Sequence, residues 1–160
     1  MEKKINKKLL IYILLFLSLS LISVYIIEYV LGNKPCKLCI YERIPYFLAI
    51  LLLIKLVFFA RYEKTILIIL SLLFITSFIL AFYHLGIEQG FFEESNACKA
   101  VDLSKDLSKE ELLLKLKQKT ISCKEVTFKI FGLSLATINT IFSVILSVIF
   151  TKLFINYGKN

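Results

Sequence analysis

The sequence predicts an all-α membrane protein: a four-transmembrane-helix bundle with two extracytoplasmic loops, the second carrying a short amphipathic helix. Three observations predict it. The chain has only 160 residues, yet 58% of them are hydrophobic and the mean hydropathy is +0.79, beyond the apolar share of a water-soluble domain. The excess is gathered into four long stretches with almost no charge, at 9–27, 44–60, 65–83 and 130–151. All four cysteines, Cys36, Cys39, Cys98 and Cys123, fall outside those stretches.

At a rise of 1.5 Å per residue, about 19 residues cover roughly 28 Å, close to the hydrocarbon thickness of a bilayer. Backbone groups in lipid must find partners within their own segment, so each stretch is expected to be helical. The basic start "MEKKINKK" resembles the head of a signal peptide, but the apolar run is long and no alanine precedes Ala49. The first stretch is therefore read as a retained helix over about 9–31. The second, about 40–60, is the shortest charge-poor run; Lys55 interrupts it, and its stem can snorkel or face protein. A tight turn, "RYEK", leads to the third span at 65–83, and the fourth covers about 130–155. Residues 1–160 thus read as one integral membrane domain, with loops at 32–39 and 84–129 on the same side. In the second loop, "LSKEELLLKLKQ" places Glu111 three residues after Ser108, a capping box. Leu103, Leu107, Leu112, Leu113 and Leu116 then suggest a short amphipathic helix, with Lys109, Lys115, Lys117 and Lys119 at headgroup level. A helix packed over the bundle accounts for the same pattern.

Four spans put both termini on one side. Lys3, Lys4, Lys7 and Lys8 argue that this side is the cytoplasm. Eight lysines in 84–129 vote the other way, so orientation rests on the N-terminal cluster and on the redox argument below. The net charge of +8 comes mostly from the N-terminus and the residues flanking the spans, which suits contact with an anionic membrane leaflet. No basic stripe with interleaved aromatics occurs, so nucleic acid is not an expected partner.

Four cysteines on one side of a membrane fit a zinc clip, structural disulfides or a redox relay. Only "PCKLC" has the short spacing of a zinc pair, since 24 residues separate Cys98 from Cys123; His84 could be a further ligand, but it directly follows the end of the third span. Outside the cytoplasm, an even cysteine count points to disulfides. Redox use is favoured by local chemistry. A Cys-x-x-Cys pair at a helix N-terminus has lowered thiol pKa values, and Cys39 is expected at or just before the start of the second span. Arg43, one turn further, adds a fixed cation on the same face, although a snorkelling interfacial arginine is the plain alternative. Pro45 suits an early helical position.

The stretch "EYVLGNKPCKLCIYERIPY", with "YHLGIEQG" after the third span, the distant pair Cys98 and Cys123, and "FGLSLATIN" entering the fourth, resembles the bacterial disulfide bond formation protein B (DsbB) family. These are inner-membrane oxidases of periplasmic thiol oxidoreductases. The resemblance covers nearly the whole chain in order, and it implies a protein-dithiol:quinone oxidoreductase; a monomer in the bilayer is expected. By that resemblance Cys98 would form the mixed disulfide with a DsbA-like partner, and Cys123 would be its mate. Electrons would then reach Cys36 and Cys39, with Cys36–Cys123 as the interloop relay. Cys39 would lie against the ring of a bound ubiquinone or menaquinone, Arg43 would hold a quinone oxygen, and His84 would line the same pocket. Glu28 departs from the glutamine common at its position, and no tryptophan stands near Ile138, where relatives often carry one. The vitamin K epoxide reductase type also joins Cys-x-x-Cys to quinone, but its pair comes late in the bundle, whereas this one follows the first span.

Overall fold

A computed structural model describes residues 6–59, 62–94, 98, 121–126 and 128–157. Helix α1 runs Lys7–Tyr29, α2 Lys37–Tyr41, α3 Arg43–Phe58, α4 Glu63–Glu88 and α5 Leu135–Asn156, with β1 Lys129–Ile130 and β2 Leu133–Ser134 forming a small hairpin before α5. The described residues are overwhelmingly helical. Among the described residues, three helices, α1, α4 and α5, are long and apolar enough to cross a membrane. Helix α3 has 16 residues, about 24 Å of rise.

The helix ends follow from local chemistry. Asn6 caps α1, its side chain accepting from the Lys8 N–H. Gly90, at φ +80°, ends α4 in a Schellman motif: the Phe91 N–H donates to the Gly86 carbonyl at 2.8 Å and the Gly90 N–H to the Ile87 carbonyl at 3.1 Å. Helix α4 therefore runs five residues past the expected boundary at 83, and His84 lies inside it rather than in the following loop. Helix α5 starts later than the charge-free run implies. Phe131 and Gly132 both have positive φ, 51° and 83°, the requirement of a two-residue hairpin turn, and they pair Ile130 with Leu133 and Lys129 with Ser134. Ser134 then caps α5 by accepting from the Thr137 N–H. Between α2 and α3 the path stays helical, with Glu42 at φ −64° and ψ −19°. Pro45 lacks the N–H that a continuous helix would direct at the Tyr41 carbonyl, which accounts for a break there.

One apolar cluster holds the bundle together, including Leu10 and Leu17 of α1, Ala49 and Leu53 of α3, Leu67 and Phe74 of α4, and Leu146 and Phe150 of α5. The Phe74 and Phe150 rings stack at 5.4 Å. The α4–α5 interface is the most extensive, while α1 packs on α3 and α3 on α4. Between helices in lipid the hydrophobic effect contributes little, so tight packing and polar bonds must serve. Ser77 meets Ser143 at 3.1 Å and Ser71 meets Thr151 at 2.7 Å, both joining α4 to α5. Outward positions such as Leu15, Leu19, Leu51, Leu72, Ile79 and Ile145 are large, apolar and exposed, as a lipid-facing surface requires. Lys55 is also on an exposed face. The amphipathic segment around 108–119 lies outside the described residues.

Candidate functional site

The four cysteines converge at one end of the bundle. Cys36, Cys98 and Cys123 are buried with Leu38 and Ile87, and Cys39 packs against the same cluster. Cys98 and Cys123 are joined as a disulfide, while Cys36 and Cys39 are free thiols. A parallel bridge between Cys36 and Ile121 brings the two loops side by side, so the segment leading to Cys123 runs directly beside Cys36.

Cys36, not Cys39, occupies the helix N-cap. Its Sγ accepts from the Cys39 N–H at 3.2 Å and lies 2.7 Å from the Cys39 Sγ. The Cys39 thiol donates into the Cys36 sulfur, and with the backbone N–H bonds this pulls the Cys36 thiol below its ordinary range despite burial and the Glu42 charge. The same bond holds the proton on Cys39, and burial pushes it further in that direction, so its thiol is raised. In the dithiol state Cys36 is therefore the sulfur that ionises first.

Behind Cys36 stands a chain of buried polar groups. His84 Nε2 is 3.4 Å from the Cys36 Sγ, and its Nδ1 is 2.8 Å from Glu42 Oε1. The carboxylate fixes the ring with its proton on Nδ1. Glu42 Oε2 accepts from Asn139 Nδ2 at 2.8 Å, and the Tyr46 hydroxyl donates to Asn139 Oδ1 at 2.6 Å. Glu88 lies on the other side of the imidazole, 3.8 Å from Nε2, and accepts from the Ser134 hydroxyl at 2.5 Å. Helices α3, α4 and α5 each contribute to this network, so it can exist only when the bundle is assembled.

A cavity of about 270 Å³ opens beside these groups. Leu21, Val24, Ile27, Ile138 and Phe142 supply apolar walls, while Cys36, Cys39, Glu42, Arg43 and His84 converge from one side. Arg43 Nη1 donates to Glu28 at 2.5 Å, and its guanidinium carbon lies 5.1 Å from the centre of the Tyr25 ring. Its Nε is buried with no hydrogen-bond partner among the described residues. A mostly apolar pocket with an unspent donor suits a flat apolar ring bearing carbonyl acceptors.

Of the six residues singled out from sequence, Cys36, Cys39, Arg43 and His84 line this cavity. Cys98 and Cys123 lie in the adjoining cluster. Sequence reasoning did not single out Glu42, Tyr46, Glu88 or Asn139. Glu42 sits beside Arg43 in "YERIPY" and reads as an interfacial charge, while Asn139 is a lone amide in an apolar run.

A helical, lipid-facing chain with a dithiol set beside a buried disulfide and an apolar cavity defines a membrane thiol–disulfide oxidoreductase. The family described as disulfide bond formation protein DsbB matches residues 6–153, and the chain belongs to that family. It is accordingly a multi-pass inner-membrane oxidase of disulfide-bond formation. It is similar to an uncharacterized protein of Rickettsia prowazekii (strain Madrid E), 30% identical over 161 residues, which covers 99% of this chain and 93% of the relative.

Proposed function

We propose that the protein reoxidises a periplasmic DsbA-like thioredoxin-fold dithiol and passes the electrons through its two cysteine pairs to a membrane quinone, ubiquinone or menaquinone. One observation carries the reading: a disulfide and a free dithiol share one buried cluster beside an apolar cavity. In this reading Cys36, Cys39, Cys98 and Cys123 are the catalytic residues. The chain acts as a single four-span domain and a monomer, with Arg43–Phe58 as the second span. Both termini are cytoplasmic and the cysteine loops periplasmic.

The exchange steps balance. A partner thiolate attacks Cys98, and Cys123 leaves as thiolate. The second partner thiol, deprotonated, then displaces Cys98, so the partner carries a disulfide and Cys98 and Cys123 carry its two electrons. With Cys36–Cys39 oxidised, the Cys123 thiolate attacks Cys36, and Cys39 leaves as thiolate. Cys98 then attacks Cys123, restoring Cys98–Cys123 and releasing Cys36 as thiolate. While Cys36 is tied to Cys123 it no longer accepts the Cys39 proton, which removes the largest influence that raises the Cys39 thiol, although burial still opposes its ionisation. His84, 3.4 Å from the Cys36 Sγ, is placed to take or return that sulfur's proton, and Glu42 holds the ring in position.

Arg43 and His84, with Cys39 beside them, would hold the quinone; the unpaired Nε of Arg43 is the donor that fits a quinone carbonyl. A quinone bound here would supply the two-electron, two-proton acceptor that lets Cys36 and Cys39 rejoin as a disulfide. Arg43 must serve from within its pair with Glu28, the position where this chain departs from glutamine.

The test is turnover of a reduced thioredoxin-fold partner by purified protein with quinone present. Cys36→Ser and Cys39→Ser should each abolish quinone reduction, and wild-type turnover in either would refute the assignment. Trapping the Cys123→Ser variant with periplasmic extract should give a mixed disulfide on Cys98. Disulfides indifferent to both quinone and partner would mark a stapled scaffold instead.

A further inference from the structure

We infer that the dithiol state of this centre is a zinc site, built from Cys36, Cys39 and His84. The short sequence spacing supplied only two ligands. The fold supplies a third, because the ligand atoms of all three residues lie within 4.8 Å of one another. Two thiolates and an imidazole form a borderline-soft donor set suited to zinc.

The distances can be set against the metal's own geometry. With Zn–S of about 2.3 Å and Zn–N of about 2.05 Å, a tetrahedral site separates sulfur from nitrogen by about 3.6 Å and two sulfurs by about 3.8 Å. His84 Nε2 already stands 3.4 Å from the Cys36 Sγ. The sulfurs, at 2.7 Å, must part by about 1 Å, a small side-chain rotation. The fourth corner falls to water or to Glu88, whose Oε1 is 3.8 Å from His84 Nε2 while Oε2 is occupied by Ser134.

The surroundings favour a dication over a bare dithiolate. Glu42 and Glu88 add carboxylates beside the ligand atoms, and Arg43 is engaged by Glu28. Glu42 also gives the imidazole the carboxylate partner that zinc-ligating histidines usually have on the nitrogen away from the metal. An ion seated here would tie up both thiols and keep the centre reduced. The oxidised pair offers no thiolate and should bind nothing. The metal site rests on the reduced dithiol and its neighbours, not on the oxidase reading.

The experiment measures zinc on the full-length protein reduced with a phosphine in detergent, without quinone, against a chromogenic chelator. The reduced protein should hold one zinc, and the oxidised protein none. A variant with Cys98→Ser and Cys123→Ser should still hold it. His84→Ala should weaken binding at least about tenfold, and alkylation of Cys36 and Cys39 should abolish it. Equal zinc on reduced and oxidised protein, loss of zinc in the Cys98/Cys123 variant, or unchanged affinity in His84→Ala would overturn the inference. Quinone-dependent turnover is measured separately, so failure of one reading leaves the other standing.

Discussion

Replacing Cys39 and Cys98 with serine leaves one thiol from each pair and asks whether Cys36 and Cys123 can join. Cys36 is bridged in parallel to Ile121, so their Cα atoms lie about 4.8 Å apart across the ladder. Two further residues add about 6.6 Å along the chain, placing the Cα of Cys123 about 8 Å from that of Cys36 if the path is straight. A disulfide needs a Cα separation below about 6.8 Å. Only about 1–2 Å of loop movement is required, less than a single residue of chain. Mild oxidation of the folded variant should therefore give a Cys36–Cys123 bond, read by non-reducing peptide mapping. The bond should form at least about tenfold faster than in the same variant unfolded in denaturant, where the ends meet only by chain diffusion. Equal rates in folded and unfolded protein, or no bond, would refute the claim that the loops are held in register for exchange.

Three further outcomes follow from the site. Glu42→Ala strands the Nδ1 proton of His84 and the amide of Asn139, so unfolding in detergent should show a loss of about 2–4 kcal/mol. Glu42→Gln keeps one acceptor oxygen for the His84 Nδ1–H but turns an amide donor toward Asn139, so it should recover only part of it. Reduced protein in chelator should be alkylated by iodoacetamide at Cys36 before Cys39, with a midpoint below that of an ordinary thiol. The sign follows from the depressed Cys36: its thiolate is already present as pH rises toward the usual thiol range, whereas Cys39 keeps its proton. Faster labelling of Cys39 would contradict this. Gly86→Ala would place a Cβ 2.1 Å from the Phe92 ring, driving that ring off its stack on Tyr83. A loss of about 1–3 kcal/mol in unfolding is expected.

Much of the architecture is legible in the sequence because lipid leaves few options for a backbone. Charge-free runs mark α1, α4 and α5, and their centres needed no tertiary knowledge. The ends were harder to read. Hydropathy continues from Ile130 into α5, but the positive-φ pair Phe131–Gly132 and the Ser134 cap delay the helix to Leu135. "FGLS" carries that signal as turn and cap chemistry rather than as apolarity. The cysteine pair and Arg43 stand out because their spacing is local along the chain. The polar chain behind them does not. Asn139 reaches Glu42 across 97 residues and His84 reaches Cys36 across 48, distances at which no periodicity operates. The choice of Cys36 over Cys39 as the N-cap also turned on where a five-residue helix begins.

The Cys98–Cys123 disulfide is 2% and 1% exposed. An oxidising bond in contact with bulk solvent would be short-circuited by any small thiol that drifted past, at a rate set by concentration alone. Sealed as it is, this one would respond, in the proposed reaction, only to a visitor that makes enough contact to uncover it. On the proposed reading the insulation would lie in the fold, and recognition of the donor would precede the first electron.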